Sequence, residues 1–395
     1  MINLGTFTLN NPTHLWLEIS ETAQTRIWQQ SQAFSSDNRR WVAYLNRLSL
    51  DTFLPWLQAE HVIDATPFPN LASLPSVWEV VNGVGISLGN KRLVLIPSEA
   101  ADLGELRVPQ EWVDIPSWVA DYYLAVQVNL EEGCIRVWGY TTHALLKSMG
   151  SYDQSDRAYC LDGEDLISHL NILWMASQIC PEEATQAGET PPLPQLQLTE
   201  AQNLLQRLGN PKVILARFAV PFPTWGALLE HGGWRQRLYE QRQGQPQKWS
   251  MNQWLQNGVS DFAQTFGWGR IELQANFAGA RGFRDAESTY ALPTLVRRLT
   301  IAGQEYELQV KPQGNLQERV WRFELRHVSG SAVIPVGTKL TLLTEDLQPF
   351  DGNQVQATTV VDKLYIEVAL GDEEEGLVWE IEPTPQDFQR EILFL

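Results

Sequence analysis

The chain has 395 residues, beyond the roughly 250–300 at which one hydrophobic core stops growing, which excludes a single small module and predicts at least two units. With 44% hydrophobic and 19% charged residues and a mean hydropathy of -0.23, it carries enough apolar material to bury cores and is not compositionally disordered. A net charge of -18 opposes attraction to phosphate backbones and anionic membranes, which argues against nucleic acid as a partner.

The charge is uneven: residues 1–197 carry 10 basic and 23 acidic side chains, 198–270 carry 8 and 4, and 271–395 carry 11 and 20. Only the middle segment is basic. The opening MINLGTFTLNNPTHLW has no basic stretch ahead of an apolar run, and nowhere does the chain reach the ~18 apolar residues of a membrane helix. A cytoplasmic protein without membrane insertion is expected. Cys134, Cys160 and Cys180 are an odd number without a C-x-x-C pair, which fits reduced thiols.

From Thr13 to Phe34 the residues Trp16, Ile19, Ala23 and Ile27 step by three and four, which predicts a core-facing helix. Ser-Ser-Asp-Asn at 35–38 supplies capping residues for a second helix through Trp41, Tyr44, Leu45 and Leu48, with Pro55 expected to kink or end it. Residues 1–60 thus read as a helical hairpin. Over 61–180 the texture turns to strands: a hairpin about Gly89-Asn90 within Val77–Ile96, a second hairpin about 131–133, a short strand RAYCL, then a helix at about 163–179. Together 1–180 make an N-terminal α/β region. The stretch 181–198, rich in Pro, Glu, Gln and Thr, reads as an extended linker. A basic helical segment follows over 199–268, with Thr199 and Ser250 as caps and Met251, Trp254, Leu255, Val259, Phe262 and Phe266 at helical spacing. From 269 to 395 about eight short strand-type runs without intervening helices predict an immunoglobulin-like β-sandwich. The fold class expected is α+β and multidomain.

Several stretches carry a resemblance: YLNRLSLDTFLPWLQ (44–58), VPQEWVDIPSWVADYYLAVQVN (108–129), VWGYTTHALL (137–146), MNQWLQNGVSDFAQTFGW (251–268), and LTLLTEDLQPF and DKLYIEVAL near the end. In this order they resemble an uncharacterised cyanobacterial family known only as a domain of unknown function, over nearly the whole chain. The region 281–300 is less regular than that family's pattern. The resemblance implies one shared architecture and a cyanobacterial cytoplasmic protein; it brings no activity and no site residues.

Chemistry is sparse. Gly85-Ile86-Ser87-Leu88-Gly89 matches the G-x-S-x-G nucleophile elbow, but that motif needs a helix after the serine and KRLVLIP reads as a strand. Gly83, Gly85 and Gly89 lack dinucleotide-fingerprint spacing. The six histidines, His143 among them, are scattered singly, so no metal or cofactor is expected. The tip Asp372–Glu375 reads as a solvated turn, and Asp162, Glu164 and Asp165 as an acidic helix start. Sixteen tryptophans are the compositional anomaly. Most belong to cores, but Trp225 and Trp234 stand beside Arg235, Arg237 and Arg242, the composition of a protein-interaction hot spot. The leading expectation is therefore a non-enzymatic scaffold or adaptor that binds a protein partner, in a signalling or regulatory assembly. Its rivals are a hydrolase using Ser87 or the 162–165 carboxylates, and a carbohydrate-binding protein using exposed tryptophans.

Overall fold

The structure, a computed structural model, describes residues 11–180, 183–244, 249–272, 293–314, 319–329, 332–371 and 375–395. The chain divides into two units, Met1–Pro246 and Gln247–Leu395.

The first unit runs β1 (Leu15–Glu18), α1 (Glu21–Ser31), α2 (Asp37–Glu60), β2 (Thr66–Phe68), α3 (Leu74–Trp78), β3 (Val84–Leu88), β4 (Lys91–Ser98), β5 (Glu105–Pro109), α4 (Gln110–Asp114), β6 (Tyr122–Asn129) and β7 (Cys134–Thr142). It continues through α5 (His143–Met149), β8 (Ser151–Asp153), β9 (Ala158–Asp162), α6 (Leu170–Ile179), α7 (Leu198–Leu208), α8 (Phe222–Glu230) and α9 (Gly232–Arg242). Six strands form one sheet in the order β1-β7-β6-β4-β3-β2, and β5-β9-β8 form a second. Among the described strands of this unit only β4 and β6 pair in parallel, because the chain crosses between them through β5 and α4. Leu93, Val94, Leu95 and Ile96 of β4 are all buried, as expected for a strand covered on both faces. Helix α2 contacts β1, β3, β4 and β6 of this sheet.

The first expected helix is shorter than its periodicity suggests. Trp16 lies in β1, which pairs with β7 from Leu15↔Val137 to Glu18↔Cys134, and the helix begins only where the Ser20 hydroxyl accepts from the Ala23 N–H at 3.2 Å. Of the four stripe residues only Trp16 falls in the strand, while Ala23 and Ile27 keep the helical spacing within α1. Helix α2 in turn runs past Pro55 to Glu60: Phe53 and Leu57 are fully buried on either side of the proline, and that burial outweighs one lost backbone hydrogen bond.

The stretch expected to be a free linker is tied down. The Thr185 hydroxyl donates to Asp121 Oδ1 at 2.5 Å, the Ala144 N–H donates to the Thr185 carbonyl at 2.9 Å, and Leu196 is buried. Helix α9 contacts α3, α7 and α8. Residues 199–242 therefore belong to the first unit, and the division falls at 246/247 rather than within 181–198. Composition suggested a connector because so few of its residues are apolar, yet a few anchored polar groups are enough to hold an extended segment.

The second unit contains α10 (Met251–Asn257), α11 (Asp261–Thr265), β10 (Trp268–Glu272), β11 (Pro293–Ile301), β12 (Gln304–Gln313), β13 (Val320–His327), β14 (Lys339–Thr344), β15 (Gln354–Gln356), β16 (Lys363–Ala369), β17 (Gly376–Glu382) and β18 (Ile392–Phe394). Ser250 caps α10 as expected, accepting from the Gln253 N–H. The single helix expected through Phe266 breaks at Gly258, whose φ of 91° suits glycine alone, and α11 restarts under Ser260. The strands form two antiparallel sheets, β10-β11-β12-β13-β16 and β15-β14-β17-β18. Strict alternation along β16 buries Leu364, Ile366 and Val368 and exposes the residues between them. The chain is thus a mixed α and β protein with mostly antiparallel sheets. Part of the irregular 281–300 region, 293–300, lies in β11; its remainder, the end of RIELQANF and Asp372–Glu374 lie outside the described residues.

Candidate functional site

The Trp and Arg cluster expected to meet a partner is internal. Trp225 is fully buried on α8, and its indole N–H donates to Glu111 Oε1 at 2.9 Å. Trp234 is buried and stacks on His231 with ring centroids 4.2 Å apart. Arg235, 1% exposed, donates to the Leu229 carbonyl at 2.7 Å and to Ser76 Oγ at 3.2 Å. Its guanidinium lies 5.3 Å from the Trp118 ring, and burial lowers its pKa to about 10. Arg242 pairs with buried Glu79 at 2.8 Å and donates to the Leu208 carbonyl. Arg237 is half-buried on α9. These side chains brace α8 and α9 against the body of the unit, so the hot-spot reading is corrected: four of the five are sealed inside. Their carboxylate partners, Glu79 and Glu111, lie more than a hundred residues earlier, and nothing local in the sequence announces them.

Ser87 lies within β3, with Thr66 and Arg92 as its ladder neighbours, so the strand-to-helix turn of a nucleophile elbow is not formed around it. His143 is buried. Its Nδ1 accepts from the Ala187 N–H at 3.0 Å, which leaves Nε2 to donate to the Val113 carbonyl at 3.2 Å, and burial lowers its pKa. The ring is a clasp between α4 and the 183–187 segment. Asp162, Glu164 and Asp165 are exposed. Among the described residues no group of three or more His, Cys, Asp or Glu is placed to hold a metal ion, and no described helix is long and apolar enough to cross a membrane. Of the sixteen tryptophans only Trp28 is largely exposed, and it meets Trp41 edge-on at 5.8 Å, which does not make a flat platform.

What sequence reading missed is a cleft of about 480 Å³ in the first unit, lined by residues of β4, β6 and β7 on one side and of β5, β9 and the 98–105 loop on the other. A β-bulge builds it. Ala125 pairs with Gly139 and Val126 with Val137, so Trp138 is an extra residue of β7 with no ladder partner of its own, the arrangement by which a bulge re-aims a side chain. Trp138 lines the cleft beside Ala125, Val126, Ile96 and Leu106. It is 9% exposed. Its indole N–H donates to no described residue, yet it is not closed off from solvent as those of Trp78 and Trp174 are.

Charged side chains edge this apolar floor. Arg107, the third residue of β5, is shared among Glu105 at 2.9 Å, Asp153 at 2.6 Å and Asp156 at 3.0 Å. Those carboxylates, Asp153 first, raise its pKa further above the usual guanidinium range. Asp153 titrates at about 2, held down by the Ser155 hydroxyl and then by Arg107. Arg217 also lines the cleft, but its guanidinium is bidentate to buried Glu111 at 2.6 and 3.0 Å. Among the described residues Asp102 accepts only the Gly104 N–H, at 2.9 Å. The lining holds neither histidine nor cysteine. The only hint of this site in the sequence is the Trp138-Gly139 dipeptide inside a strand, since glycine there often marks a bulge.

No curated protein and no solved structure matches the chain. A family does, over residues 17–394, the extent that the whole-chain resemblance implied, and on that ground the chain belongs to the family described as "Protein of unknown function (DUF1822)".

Proposed function

We propose that the protein is a non-enzymatic scaffold or adaptor that recognises a protein partner, and that the cleft over Trp138 is its recognition element. The observation that carries this reading is the state of the cleft's charged groups: each guanidinium is already matched by carboxylates, while an apolar floor with an open indole donor is left for contact. Fixed, paired charges around an apolar patch suit recognition, whereas turnover calls for a group poised to exchange a proton or form a bond. The proposal takes the two sheets of the second unit as the faces of an immunoglobulin-like sandwich, and places the protein in the cytoplasm. Three unpaired cysteines and the net charge of -18 support that compartment and a partner other than nucleic acid.

The test is affinity capture from a native host with wild type and with Asp102→Arg, an exposed substitution on the cleft edge. The wild type should retain a partner that Asp102→Arg loses by tenfold or more, with unchanged melting temperature. Equal recovery by both proteins would remove the cleft from the interface.

A further inference from the structure

The geometry points to a lysine or arginine residue of an extended partner segment as the occupant of the cleft, an assignment that rests on the recognition reading above and names its chemistry. Three features each make a demand of the occupant. The first is charge. The lining carries three carboxylates, Asp102, Glu105 and Asp156, and two guanidiniums; Arg107 is already shared with Glu105, Asp156 and the neighbouring Asp153, Arg217 is taken up by Glu111, and Asp102 is left to the Gly104 N–H. This edge is net negative and favours a cation. The second is the floor of Ile96, Leu106 and Val126, which suits a methylene stem whose head stays among the carboxylates.

The third is Trp138. It is nine-tenths buried, placed by a bulge, and its N–H meets no described acceptor. Open to the cleft, this donor is left to water, and an occupant that displaces the water must bring an acceptor of its own to avoid losing that bond, which neither an alkylamine nor a polyamine carries. A lysine or arginine within a peptide brings a backbone carbonyl, an apolar stem and a cation together. The cleft volume of about 480 Å³ lies inside the roughly 300–1,000 Å³ of ligand pockets, enough for one such side chain and its flanking backbone.

The experiment uses the full chain labelled with ¹⁵N-tryptophan, the Trp138 indole signal being assigned with Trp138→Phe. Four probes are titrated: blocked pentapeptides Ala-Ala-X-Ala-Ala with X as lysine, arginine or norleucine, and n-butylamine. Lysine and arginine peptides should shift the Trp138 signal saturably. Norleucine and butylamine should bind at least tenfold more weakly, as should the lysine peptide to Asp102→Asn combined with Glu105→Gln, whose remaining indole signals should stay in place. Rising salt should weaken binding. Equal binding of the norleucine peptide would make the site an apolar groove, and equal binding of butylamine would make it a small-amine site; either overturns the assignment. Absence of any shift up to about 10 mM, where even very weak complexes form, also overturns it. If Asp102→Arg still loses its captured partner in that case, the recognition reading stands without the cation. If capture is unaffected as well, both fall.

Discussion

Glu111 shows how much of the first unit hangs on single buried charges. It is fully buried and accepts from both Arg217 and Trp225, so removing it strands a guanidinium and an indole N–H together. Glu111→Ala should cost about 3–5 kcal/mol in urea unfolding, whereas replacing the pair by Leu and Met should recover most of that, because an apolar pair of similar volume avoids the desolvation cost. A loss for Glu111→Ala below about 1 kcal/mol, the range of exposed pairs, would show that solvent reaches the site. His14 makes a second prediction. Its Nδ1 accepts from Arg136 Nε at 2.8 Å, and partial burial, then Arg136, lowers its pKa to about 4. The unfolded chain therefore binds more protons than the folded one between about pH 6.5 and 4, so stability should fall as pH drops through that window. His14→Gln should flatten this part of the melting-temperature profile; an unchanged slope would assign it to another group. At this scale the sequence told residue type but not address. The clustering of Trp225, Trp234, Arg235 and Arg242 was legible, but whether the cluster faces water depends on Glu79 and Glu111, which only the fold brings to it.

Among the elements, those marked by turn chemistry were legible and those decided by tertiary pairing were not. The β3–β4 and β6–β7 hairpins stood out because Gly89 and Gly133 sit at their turns, with φ of 66° and 57°, flanked by alternating strands. Strand β1 was hidden because its residues also fit a helical stripe, and only pairing with β7 chooses between the two. The bulge was hidden because β7 is buried almost throughout, so no change of phase shows in its pattern at Trp138. Helix α2 offers a direct test of local preference against burial. Pro55 is exposed in its interior, so Pro55→Ala should restore the bond to the Asp51 carbonyl and raise stability by up to about 3 kcal/mol. No gain would mean that a bend at Pro55 is needed for α2 to follow the sheet.

At the level of the whole molecule, length called for more than one unit and composition placed a division at 181–198, whereas the chain divides at 246/247. Polarity reports what a segment lacks, not what it is anchored to. Each unit has its own buried ionic centre: Glu111 in the first, and in the second Glu391, which accepts from Trp268 Nε1 at 2.8 Å and Arg297 Nε at 3.3 Å. Separate cores predict separable unfolding. In calorimetry Glu111→Gln should lower one transition and Glu391→Gln the other, each leaving its counterpart within about 1 °C. A common shift caused by either substitution would show that the units unfold as one.

The extra residue in β7 also sets a rule of counting. Side chains alternate along a strand, so Cys134–Val137 and Gly139–Thr142 point with opposite parity on either side of Trp138. The earlier half is held on both edges, by β1 and β6; the later half has β6 and a single bridge from Tyr140 to Ile167. Removing one residue here would restore regular pairing only by turning one half over, exchanging the side chains packed on one buried face for those packed on the other along its length. The stretch should therefore accept many changes of letter but no odd change of length, and naturally varying forms of this chain should differ there by whole pairs of residues or not at all.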